Sequence, residues 1–198
     1  MKKIIYNILN MGLPILNIGL PFIDEQIANR KIRNKIQELD ECGIPDNYDI
    51  NEIDIEEFNN DYISSVERAN RLEDKAKSLL IAWSITVTLI ISLPNIINSI
   101  CETNWIHKVV VVMGIAAVLY MFLAGLMVIQ VLTKENIVQT VPLNKRKNKI
   151  DIYKATKGNN YQNFIRNNKI FTAYQSLRNS VIFLSIIFLI STFVPKTS

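Results

Sequence analysis

Four stretches of the chain contain no Asp, Glu, Lys or Arg: residues 4–23, 78–101, 109–133 and 179–195. No other feature limits the fold as strongly, because a water-soluble domain of this size rarely carries several such runs. The second and third are 24 and 25 residues long. At about 1.5 Å of rise per residue, either can cross a hydrocarbon core of about 30 Å as a helix. The fourth has 17 residues, the lower limit for a span. Arg178 and Lys196 flank it, and their long side chains can reach the headgroup layers. The expected fold is therefore all-α, with three spans at Leu79–Ile97, Val109–Leu132 and Asn179–Val194.

The charged residues are sorted as sharply as the apolar ones. The whole-chain net charge of +4 combines two opposed segments. Residues 24–78 hold 15 acidic and 8 basic side chains, and residues 134–178 hold 10 basic and 2 acidic ones. Lys and Arg near span ends favour the cytoplasm. Arg68, Arg71, Lys75 and Lys77 precede span one, the basic segment joins spans two and three, and the short loop 98–108 carries only Lys108. This pattern predicts a bacterial inner-membrane, multi-pass protein with 24–78 and 133–178 cytoplasmic and the C-terminus outside. The basic segment is read as positive-inside bias with lipid headgroup contact rather than as a nucleic-acid surface. With the acidic segment on the same side, the two can also pair.

The expected organisation has five parts. Residues 1–23 form an apolar Gly/Pro segment, 24–78 acidic cytoplasmic helices and a stalk, and 79–132 a transmembrane hairpin. Residues 133–178 are the basic cytoplasmic segment, and 179–198 the third span and tail. The first part contains a seven-residue repeat, Met11-Gly12-Leu13-Pro14-Ile15-Leu16-Asn17 and then Ile18-Gly19-Leu20-Pro21-Phe22-Ile23-Asp24. Gly and Pro at this density break a helix, and spanning would place Lys2 and Lys3 outside. An interfacial or re-entrant segment is expected, with a fourth span as the alternative.

Asp24 is placed to cap a following helix, with Ile27 or Ala28, Ile32, Ile36 and Leu39 on one face and Gly43 and Pro45 as its stop. The most regular segment comes next. Ile55, Phe58, Tyr62, Ser65, Ala69, Leu72, Ala76 and Leu79 follow one another at 3-4-3-4-3-4-3 spacing, a heptad seam. It runs into span one with neither Gly nor Pro before Pro94, so one helix from about Asp54 to Leu93 is predicted. The seam can serve contacts between copies of the chain or pack on the chain's own helices. Beyond Pro142, a short basic helix at 144–157 is expected, then a turn at Gly158-Asn159-Asn160. A second long helix is expected from Tyr161 into span three, with Tyr161, Phe164, Asn168, Phe171, Gln175 and Arg178 on one face.

Catalytic chemistry has little to draw on. The chain holds one His and two Cys, and none of the common nucleotide, zinc-hydrolase or nucleophile-elbow motifs occurs. His107, beside Trp105, reads as an interfacial anchor. Cys42 and Cys101 lie in different segments and read as free thiols. The carboxylates Asp46, Asp49, Glu52, Asp54, Glu56, Glu57 and Asp61 read as a solvated acidic surface rather than a cation site. No catalytic, cofactor or metal residue is assigned. The residues singled out are structural. They are the seam, a polar span-one face of Ser84, Thr88 and Ser92, and the small residues Gly114, Ala117, Ala124 and Gly125 of span two, which permit close helix packing in lipid. The three hydroxyls can bond their own backbone or, across several subunits, line a wet path.

Two stretches resemble a known family. Arg71-Leu72-Glu73-Asp74-Lys75-Ala76-Lys77-Ser78-Leu79-Leu80 resembles the D-x-K-A-x-x-L-L lead-in to the first span of small three-span bacterial membrane proteins. Asn168-Lys169-Ile170-Phe171-Thr172-Ala173-Tyr174-Gln175-Ser176-Leu177-Arg178 resembles the helix entering their last span. These are the Pycsar-type transmembrane effectors and, more distantly, the SLATT-type effectors. The resemblance covers roughly residues 66–195 and implies an oligomeric anti-phage effector that damages the inner membrane on a nucleotide or protein signal. At the usual Thr-like position before Lys-Ala stands Asp74, and no cyclic-nucleotide-binding domain is visible. The expectation is a non-enzymatic, homo-oligomeric membrane protein without a cofactor, its partners being lipids and a cytoplasmic protein or nucleotide signal. A membrane anchor or regulatory subunit of a defence or envelope complex, and an immunity or small transport protein, are the alternatives.

Overall fold

The computed structural model describes residues 21–42, 54–98, 105–133, 139–142 and 148–193, with backbone only for 39–42. The described part is helical: α1 (Pro21–Cys42), α2 (Ile55–Ile91), α3 (Leu93–Asn98), α4 (Trp105–Leu132) and α5 (Lys149–Phe193). Three helical stretches, Ile55–Asn98, Trp105–Leu132 and Lys149–Phe193, are long and apolar enough to cross a membrane. This is the architecture of a multi-pass helical membrane protein, and the three spans fall where the uncharged runs placed them. Residues 1–20, which hold the first copy of the repeat and the start of the second, lie outside the described residues, and so does the interfacial or re-entrant segment expected there.

α2 begins as its sequence directs. Asp54 is extended and its side chain accepts from the Glu56 N–H at 3.5 Å, with Glu56 and Glu57 favourable in the first turn. It then runs 37 residues without interruption to Ile91. Pro94 cannot donate a backbone hydrogen bond, and the helix closes at Ser92 before the six-residue α3. α5 starts at Asn148, whose Oδ1 accepts from the Ile150 N–H at 3.1 Å.

Two expectations are corrected. Asp24 does not cap α1: the described helix already begins at Pro21, with Asp24 in its first turn. Pro21, Phe22 and Ile23 therefore belong to α1 rather than to the apolar segment before it. The second correction concerns Gly158-Asn159-Asn160. There is no turn there, and α5 is one helix of 45 residues. The reason is tertiary. A methyl group at Gly158 would lie 3.0 Å from Gln139 Oε1, the end of a flexible side chain, and the 139–142 strip is tied to the next residue. Asn159 Oδ1 accepts from the Gln139 N–H at 2.6 Å, and its Nδ2 donates to the Gln139 carbonyl at 3.1 Å. An intrinsic cost of about 1 kcal/mol for Gly in a helix is outweighed by these contacts.

α5 is the axis of the molecule, packing against α1, α2 and α4. Three apolar clusters are stacked along it. Phe58, Tyr62, Val141, Ile152, Tyr153 and Ala155 form the first, with Phe58 edge-on to Tyr153 at 6.3 Å. Leu72, Ala76, Met127, Val128, Val131, Ile170 and Ala173 form the second. Leu93, Val110, Ala117, Leu184 and Ile187 form the third, deep among the spans. Outside the spans lies a wide exposed apolar surface that includes Ile81, Ile85, Val112, Leu119, Phe122, Ile186 and Leu189. A patch of this extent is unfavourable in water and ordinary against lipid tails.

Candidate functional site

The seam Ile55, Phe58, Tyr62, Ser65, Ala69, Leu72, Ala76 faces inward. From Phe58 to Ala76 every member is buried, with Ala69 at 1% and Ala76 at 0% exposure, and Ile55 packs against the first cluster. α5 and the 139–142 strip fill it, so packing on the chain's own helices is the reading that the geometry occupies. Tyr62 Oη accepts from the Val141 N–H at 3.1 Å.

The small residues of α4 work as close-approach points. Gly114, Ala117, Ala124 and Gly125 are all buried. A methyl group at Gly125 would sit 2.7 Å from Trp83 Nε1, because the indole occupies that gap and donates to the Met121 carbonyl at 3.0 Å. At Ala117, the small side chain leaves its carbonyl open to Ser180, whose Oγ donates to it at 2.8 Å. The span-one hydroxyls are satisfied locally. Ser84 bonds the Leu80 carbonyl at 2.9 Å, Thr88 the Ser84 carbonyl at 3.2 Å and Ser92 the Leu89 carbonyl at 2.6 Å. Back-bonding to the preceding turn lets such residues face lipid cheaply.

What the sequence reading missed is the inner face of α5. Of the predicted stripe, Phe164 and Phe171 are more than half exposed, while Tyr161, Asn168, Gln175 and Arg178 are half-buried, Asn168 against α1. The inner side is polar and buried: Asn159, Asn163, Arg166, Lys169, Thr172, Ser176, Asn179 and Ser180. Asn163 Nδ2 donates to the Ser65 carbonyl at 2.8 Å, and Asn159 Nδ2 reaches Ser65 Oγ at 3.4 Å. Ser65, a seam residue, thus makes polar contact between α2 and α5. Arg166 Nε, Asn163 Oδ1 and Ser176 Oγ are buried without a hydrogen-bond partner. Burial lowers the Arg166 pKa from its ordinary value, and the negative charge of Glu73 opposes that shift.

α1 joins this polar face through side chains that an apolar-stripe reading overlooks. Ile27 is 54% exposed, whereas Glu25 and Asn29 are buried. Asn29 donates to Glu25 Oε1 and accepts at 2.9 Å from Asn168 Nδ2 of α5. Burial pushes the Glu25 carboxyl above the usual carboxylate range. Lys169, the Asn29 hydrogen bond and Arg33 pull it back, in that order. The acidic and basic segments therefore meet electrostatically at Glu25–Lys169 and Glu73–Arg166. The close ion pairs along α2 are local ones, Lys77–Glu73 at 2.9 Å and Arg71–Glu67 at 3.9 Å. They are exposed pairs and contribute little.

Chemistry-bearing residues do not converge. Among the described residues no group of three His, Cys, Asp or Glu side chains could hold a metal. Asp54, Glu56, Glu57 and Asp61 sit on the exposed or capping side of α2, while Asp46, Asp49, Glu52 and Cys101 lie outside the described residues. His107 is half-buried near the start of α4, its Nδ1 unpartnered, beside an exposed Trp105. No protein-family model, curated protein or solved structure matches the chain.

Proposed function

We propose that this chain is a non-enzymatic, oligomeric inner-membrane protein that perturbs membrane integrity on a cytoplasmic signal, as the anti-phage effectors that it resembles do. One observation carries the reading: α2 and α5 each run unbroken from a charged stalk into a span, 37 and 45 residues long. A helix transmits displacement along its axis because every turn is hydrogen-bonded to the next. A partner or nucleotide that shifts the stalk would therefore shift both spans. In this reading 24–78 and 133–178 are cytoplasmic, and copies meet through surfaces outside the filled seam.

Controlled expression in bacteria with a potential-sensitive dye tests it. Depolarisation on forced oligomerisation or on phage challenge is the expected result. An unchanged potential under both conditions, with the protein present in the membrane, overturns the effector reading.

A second reading, an anchor or regulatory subunit, draws on a separate observation. Phe164, Phe171 and Tyr174 expose aromatic surface on the outer face of α5 at 53%, 58% and 57%, the kind of residue that anchors a protein partner. A stoichiometric soluble partner on co-purification, with ion-tight liposomes, would favour this reading.

A further inference from the structure

Where α1 crosses the stalk end of α4, a cleft of about 350 Å³ opens between three helices. α1 contributes Glu25, Gln26, Asn29, Arg30 and Arg33, which recur at helical spacing on one side of it. α4 contributes Met127 and Gln130 from its last turns, and α5 contributes Lys169. Three cations thus face one carboxylate. Lys169 is 3% exposed, so one of the charges is fixed by packing and does not hang in solvent. Arg30 and Arg33 are exposed and free to reach a guest.

The level of the cleft sets its chemistry. Leu126 and Ile129, neighbours of Met127 and Gln130 on α4, are exposed apolar side chains, and α4 ends at Leu132. The cleft therefore lies at the end of the lipid-facing surface, where headgroups would be. Guanidinium groups match tetrahedral phosphate oxygens in a fork, and a buried ammonium adds a point charge. Gln26, Asn29 and Gln130 supply neutral amides for the remaining oxygens or for a glycerol hydroxyl. Glu25 lines the same cleft and, when ionised, opposes an anion there.

We propose that this cleft binds a phosphate group, carried by the headgroup of an anionic phospholipid such as phosphatidylglycerol, and that Arg30, Arg33 and Lys169 hold it. The proposal rests on the membrane placement of α4 and not on membrane damage. Basic clefts between spans are a recurrent form of anionic-lipid site.

The test uses the full chain, purified in a neutral detergent and mixed with phosphatidylglycerol or phosphatidylcholine, with retained lipid read by native mass spectrometry. Phosphatidylglycerol should be retained over phosphatidylcholine. The double variant R30Q/R33Q, altered only at exposed positions, should lose that preference by roughly ten- to thirtyfold. K31Q/K35Q removes the same charge from exposed residues of α1 that do not line the cleft, and should keep the preference. E25Q removes the opposing carboxylate and should strengthen retention. Equal retention of the two lipids, or equal losses in the two double variants, overturns the site. Inorganic phosphate is the third arm. Competition with phosphatidylglycerol, abolished in R30Q/R33Q, supports the shared phosphate chemistry. Phosphate binding without any lipid preference overturns the lipid source. A chain that stays monodisperse without detergent would break the membrane placement, a result separable from all of these.

Discussion

The two halves of α5 solve the same packing problem in opposite ways. Among the spans its interior is apolar or small, with Leu184, Ile187, Ala117 and Val110 in contact and one hydroxyl, Ser180, tied to a carbonyl. In the stalk its interior carries Asn159, Asn163, Arg166 and Lys169, while Phe164 and Phe171 point outward. Small residues let helices approach in lipid, where burial of apolar surface gives no driving force between them. In the stalk, polar contacts with fixed partners specify one register. A shifted pairing would leave Asn159, Asn163 and the Gln139 backbone unsatisfied, each at about 1–3 kcal/mol. The membrane half is thus held by shape, while the stalk half adds hydrogen-bond identity to its two apolar clusters.

The largest expected effect lies in the stalk seam, against which the stalk half of α5 packs. Glu at Ala69 and Ala76 together places two carboxylates where exposure is 1% and 0%. The cost is several kcal/mol, and the monodisperse fraction on a sizing column should be lost. An unchanged elution profile would mean that these positions face solvent. Next is Gly125→Val, which drives a side chain into Trp83. It should cost about 1–3 kcal/mol in thermal unfolding, with a change in Trp fluorescence. Asn159→Ala comes third, at about 1–3 kcal/mol. Its signature is faster exchange at the Gln139 amide and little change among the spans. If Asn159→Ala loosened the spans as much as Gly125→Val does, the division between the halves would fail.

Two smaller effects sharpen the comparison. The Glu25 carboxyl titrates above its ordinary value of 4.5 because it is buried. The unfolded chain therefore releases this proton first as pH rises. The contribution of Glu25 makes the fold less stable from about 4.5 up to the raised value and constant beyond it. Glu25→Gln should flatten that part of the stability–pH curve, and an unaltered slope would remove Glu25 from the α1–α5 contact. Gly158→Ala should be close to neutral. Helix propensity gains about 1 kcal/mol, and the atom in the way is the end of the flexible Gln139 side chain.

The spans and the stalk seam were legible because both obey simple rules. Uncharged runs of 17 to 25 residues are the length of a membrane-spanning helix, and the 3-4 spacing from Ile55 to Leu79 describes the buried side of α2. The inner face of α5 was not legible. Asn159, Asn163, Arg166 and Lys169 are buried there while Phe164 and Phe171 are exposed, so a stripe chosen through the two phenylalanines misses it. Nor could the fate of Gly158-Asn159-Asn160 be read locally. Its turn chemistry is outvoted by Gln139, Ser65 and the 139–142 strip, which are distant in sequence. The nearest available signal was the i, i+4 pair Asn159/Asn163 in an otherwise helical segment, whose amides need partners once buried. In α1 the alternative through Ala28, Ile32 and Ile36 is the half-buried one, and Glu25 and Asn29, which share its side, carried no apolar signal.

The continuity of α5 through its Gly-Asn-Asn segment is the claim on which mechanical coupling depends. Amide hydrogen exchange on the full chain in lipid nanodiscs measures it directly. Protection should run without interruption from Ile152 through Ala173 into the span, with the amides of Gly158 to Tyr161 as slow as their neighbours. A fast-exchanging window at Gly158–Tyr161 between two protected stretches would mean two helices and a joint, and would contradict a stalk that moves as one piece with the membrane.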